Sequence, residues 1–66
     1  MKQYQIMIDG DIDYYKDFSE AWVRIEKMIE NNGFHKLTPE WLKSYLAEQG
    51  IYTFDIFNQI TYRDYE

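Results

Sequence analysis

The chain has no cysteine, one proline, one histidine and only seven basic residues against twelve acidic ones. Without cysteine, neither a disulfide nor a thiolate zinc site can supplement the core, and nothing points to an oxidising compartment. A transition-metal site would be left with one imidazole and carboxylates, so no metal or other cofactor is expected. The formal charge of −5 repels a phosphate backbone, and the basic residues are scattered, not gathered into a stripe. Direct nucleic-acid binding is therefore not expected. No apolar run approaches the ~20 residues of a membrane span, and MKQYQIMIDG has no apolar core of signal-peptide length. The expectation is a cytoplasmic protein with no membrane partner.

What is present is a single small domain, residues 1–66, close to the lower limit at which an uncrosslinked core holds a chain folded. Aromatic residues make up 20 % of it, seven of them Tyr, more than so small a core is expected to bury. They either fill the core as large side chains or, where exposed, anchor an interface.

QYQIMI alternates with period two, placing Tyr4, Ile6 and Ile8 on one side, and predicts a strand. Asp9-Gly10 signals a turn. A two-residue turn would set Asp11 opposite Ile8 and Asp13 opposite Ile6, whereas a three-residue loop, Asp9-Gly10-Asp11, sets Ile12 and Tyr14 there. The longer loop keeps carboxylates off the apolar face and is the predicted register. It leaves Asp13 and Tyr15 on the second face.

Asp17 and Glu20 have the spacing of a capping box, and Phe18, Ala21, Trp22, Ile25, Met28 and Ile29 then recur as one helical stripe that Asn31-Asn32-Gly33 closes. A second helix starts at LTPEWL, with Thr38 as N-cap and Pro39 in its first turn, and ends at Gly50. The segment IYTFDIFNQITYRDY keeps one parity throughout, predicting one long or bulged strand, with a hairpin or a short helix around Asp55 to Gln59 as alternatives. The predicted fold is α+β, β-β-α-α-β, with two helices on one face of an antiparallel three-stranded sheet, or a four-stranded one if the last segment folds back.

DGDIDYYKDFSE has acidic residues at positions 1, 3, 5, 9 and 12, the spacing of a calcium-binding EF-hand loop. Position 6, normally glycine, is Tyr14, and position 8 is the cation Lys16. The preceding residues alternate as a strand where an EF-hand needs a helix. An acidic hairpin running into a capped helix is the preferred reading, with a calcium-responsive domain over Asp9 to Glu20 as an alternative.

His35 lies in a polar loop without a neighbouring base or nucleophile, and Ser19 and Ser44 fit no nucleophile-elbow pattern. No catalytic residue and no enzymatic activity are expected. The candidate partner-binding residues are the hairpin's Asp9, Asp11, Asp13, Tyr15 and Asp17 and the C-terminal Tyr62, Asp64, Tyr65 and Glu66, which repeat the combination of acid and aromatic. Such a surface attracts a protein with a basic surface. In composition the chain resembles small inhibitors encoded by phages and mobile elements, some of which imitate nucleic-acid charge. That resemblance implies a partner such as the nucleic-acid groove of an enzyme. A homo-oligomeric structural module is the other expectation.

Overall fold

The computed structural model describes residues 1–65. The alternating KQYQIMI forms β1 (Lys2–Ile8), and Asp9-Gly10 turns the chain into β2 (Asp11–Tyr15). Two helices follow, α1 (Phe18–Asn32) and α2 (Pro39–Gln49), and then two more strands, β3 (Ile51–Asp55) and β4 (Asn58–Asp64). The four strands form one antiparallel sheet in the order β2-β1-β4-β3. Its central pairing joins the first strand to the last, with Tyr4 facing Tyr62 and Ile6 facing Ile60.

Both helices lie against one face. Ala21, Ile25, Met28 and Ile29 of α1 and Leu42 and Leu46 of α2 are buried with Tyr4, Ile6 and Ile60 of the sheet. This is the predicted α1 stripe, with Phe18 and Trp22 half-buried at its flank. Gly33 closes α1 at φ 68°, where the Phe34 N–H reaches the Ile29 carbonyl at 3.0 Å. At the start of α2 the Thr38 hydroxyl accepts from the Trp41 N–H at 3.2 Å, as its N-cap position requires. Asp17 occupies the corresponding place before α1, but its side chain makes no capping hydrogen bond, so the expected capping box does not form. Gly50 ends α2 at φ 80°, and its own carbonyl already accepts from the Tyr62 N–H of β4 at 2.8 Å. Helix and edge strand are thus joined by one residue.

The surplus aromatics are largely absorbed on the helix side. Tyr4 stacks on Tyr62 with centroids 4.3 Å apart and meets Phe18 edge-on, while Tyr45 and Tyr52 form a second cluster with Trp41, which stays about half exposed. Burial, with the Tyr62 hydroxyl beside it, pushes the Tyr4 phenol up from its ordinary pKa.

Two register expectations are corrected. First, the β1–β2 connection is the two-residue turn: Ile8 pairs with Asp11, Ile6 with Asp13 and Tyr4 with Tyr15. Asp9 at φ 50° and Gly10 at φ 91° give the left-handed pair whose twist matches that of the flanking strands. The carboxylates this turns toward the helix side are tolerated because β2 is an edge strand. Asp13 meets Arg24 of α1 at 3.8 Å at the margin, outside the core. As a result Tyr15 packs half-buried against the core, and Ile12 and Tyr14 stand on the open face.

Second, the last segment is not one strand but a hairpin with Ile56-Phe57 at its turn. A two-residue turn pairs Asp55 with Asn58 and should reverse the parity of the returning strand. A bulge between Thr53 and Asp55 shifts the register by one, so Tyr52 comes to face Ile60. The parity therefore ran unbroken through a reversal of the chain.

No helix among the described residues is long and apolar enough to cross a membrane. Ile25 has no solvent exposure, so Ile25→Ala should cost about 2–5 kcal/mol in chemical denaturation. Thr38→Ala, which removes only a cap, should cost about 1 kcal/mol in the same measurement.

Candidate interaction surface

The β1–β2 and β3–β4 turns lie side by side at one end of the sheet, and buried Asn58 ties them together. Its side-chain carbonyl accepts from the Asp9 N–H at 3.0 Å, and its amide donates to the Asp55 carboxylate at 2.9 Å. The same Asp55 oxygen accepts from the Phe57 N–H at 2.8 Å, and the Gly10 N–H donates to the Phe57 carbonyl at 3.0 Å. An asparagine only 1 % exposed thus meets the backbone of one turn with its oxygen and the carboxylate of the other with its nitrogen. The Asn58 side-chain amide, followed by the Phe57 N–H, holds the Asp55 carboxyl below the usual carboxylate range.

Asp9 and Asp11 are exposed at this end, and Asp13 and Asp17 are exposed further along β2 and at the start of α1. The four acids follow the β1–β2 turn, the outer strand and the start of α1 as a row. Arg24 is the one cation within ion-pair distance of it among the described residues. The extended backbone also separates the carboxylates of the calcium-like window, and no three acidic or histidine side chains among the described residues gather as a metal site. Tyr15, a candidate partner-binding residue placed on the second face, is instead half-buried against the core on the helix side.

The C-terminal residues do not form one surface. Tyr62 stacks on Tyr4 beneath the helices, and Asp64 pairs at 3.0 Å with the N-terminal amine. Tyr65 belongs to the opposite face, edge-on to Tyr14, with its hydroxyl bonded to Gln5 and Arg63 over its ring at 5.0 Å. Glu66 lies outside the described residues.

Two features escaped the sequence reading. Ile56 and Phe57, at the β3–β4 turn, are 75 % and 57 % exposed. The signal was a pair of large apolar residues between Asp55 and Asn58, a pattern in which turn-forming residues flank a site that normally holds polar ones. The other is the open sheet face, where Ile12 and Tyr14 are about half exposed. The two-residue turn puts these side chains there, opposite Met7 and Gln5.

No family model, curated protein or solved structure matches the chain. The site must be read from its own chemistry. Two shallow clefts, about 110 and 100 Å³, are small beside the ~300–1,000 Å³ of ordinary ligand pockets.

Asn58→Ala should destabilise the fold by about 1–3 kcal/mol, since it leaves the Asp9 N–H without its acceptor. It should also raise the Asp55 pKa toward the ordinary carboxylate value. A depressed folded-state pKa contributes stability above the unfolded-state pKa, lost as pH falls through the folded one. The variant should therefore lose that acid-sensitive contribution, which carboxyl NMR titration of Asp55 and denaturation at neutral and acidic pH would measure.

Proposed function

We propose that the chain is a non-enzymatic interaction domain whose acidic margin meets a basic surface of another protein, such as the nucleic-acid groove of an enzyme, and inhibits it by occupation. The supporting observation is the row of exposed carboxylates, Asp9 in the β1–β2 turn, Asp11 and Asp13 on the outer strand and Asp17 before α1. It stands on a chain of net charge −5, with Arg24 at ion-pair distance from Asp13. Carboxylates spaced along a rigid edge offer a field that steers a basic partner to one side of the molecule. Charged residues also keep an edge strand from pairing with its like, and the two roles separate experimentally. Asp9→Asn, Asp11→Asn and Asp13→Asn together should slow association with a basic nucleic-acid-binding protein that the chain inhibits, and flatten its salt dependence, with the fold unchanged. Surface plasmon resonance at two salt concentrations checks this. Unaltered kinetics would leave the row a solubility device.

A second reading is homo-oligomerisation through the open sheet face, favoured by the exposure of Ile12 and Tyr14. Gln3, Gln5, Met7, Gln59 and Thr61 also belong to that face, so two copies could meet there without opposing carboxylates. Sedimentation of the wild type and of Tyr14→Lys over a range of concentrations distinguishes this reading: only a dimer weakened by the lysine supports it.

A further inference from the structure

We propose that the Ile56-Phe57 turn is the anchor of the interface, and that its partner is a protein element with an apolar strip flanked by Lys or Arg. This inference rests on the acidic-margin reading and names what stands at the turn end of that margin.

The first ground is that the fold does not use these side chains. Phe18, Phe34 and Phe54 all pack against the core, whereas Phe57 is left 57 % exposed and Ile56 75 % exposed. Burying two such residues against a partner removes from water the kind of area that dominates association.

The second ground is rigidity. The Phe57 N–H and carbonyl are both engaged, by Asp55 and by Gly10, and Asn58 behind them is buried. An anchor held in place before binding loses little conformational freedom when it docks.

The third is charge. The Gly10–Phe57 hydrogen bond puts the turn directly beside Asp9 and Asp11, which are exposed, while Asp55 is occupied within the turn. An apolar anchor beside free carboxylates is repelled by an anionic membrane, and a second copy would bring its own carboxylates to the same place. A strip flanked by cations satisfies both halves of the surface.

The test uses the 15N-labelled chain and three soluble peptides of equal length: an amphipathic Leu/Lys helix, a Leu/Glu helix of the same pattern, and an all-Lys peptide. The Leu/Lys peptide should shift the amides of residues 9–11 and 55–58, with the other two at least about tenfold weaker. Phe57→Ser, and independently Ile56→Ser, should weaken that binding about tenfold or more while the remaining spectrum stays folded. Asp9→Asn with Asp11→Asn should weaken it and flatten its salt dependence. If both serine variants bind like wild type while the Asn variant loses affinity, the anchor is refuted and the acidic-margin reading stands. Loss on serine substitution with no effect of the Asn pair refutes the basic flank, and with it both proposals. Shifts at 55–58 on concentrating the protein alone, or on adding anionic vesicles, without response to the Leu/Lys peptide, would assign the turn to a second copy or to a membrane and overturn the inference.

Discussion

The pairing of β1 with β4 carries the rest of the structure. It brings the first strand against the last and sets Tyr4 on Tyr62 and Ile6 beside Ile60. Those side chains are the floor on which α1 and α2 bury their apolar faces. Neither flanking hairpin would be stable alone, since a two-stranded ribbon is marginal in water. The chain must therefore close nearly its full length before its local pieces gain much from one another, a topology that favours slow folding over fast. With no disulfide to hold that closure, burial of a few large side chains has to do it.

Helices were the legible part of the sequence. Ala21, Ile25, Met28 and Ile29 recur at a spacing that only a helix gathers onto one face, and Thr38-Pro39 marks a start by local chemistry alone. The sheet was legible in composition but not in register. At Asp9-Gly10 the burial argument favoured a longer loop, while turn geometry favoured the shorter one. Turn geometry prevailed because an edge strand lets Asp11 and Asp13 escape to the margin. Knowing that required knowing which strands lie at the edge, which local sequence does not encode. At Asp55 to Asn58, a bulge and a reversal cancelled in parity, so the pattern looked continuous.

The site was less legible than the fold. Exposure of Asp9, Asp11, Asp13 and Asp17 follows from their charge, and needed no structure. The convergence of two turns did not, because it depends on Asn58 reaching a backbone group 49 residues earlier in the chain. Tyr62 and Tyr65 differ from this: a spacing of three residues at a strand's end puts one ring under the helices and the other on the open face, as local alternation dictates.

Gly50 has a consequence for how the molecule opens. It is at once the left-handed residue that ends α2 and the first residue hydrogen-bonded to β4, so no slack separates helix from edge strand. A helix that frays at its C-terminus must then strain the ladder, and an edge strand that peels away must pull on the helix. The end of α2 and the start of β3 are thereby coupled through one residue. A side chain at residue 50 would meet no severe clash, its nearest neighbour being the Tyr62 carbonyl at 3.7 Å, but it would have to adopt a φ of +80°. The coupling is set by backbone conformation, and glycine is the residue that adopts it without strain.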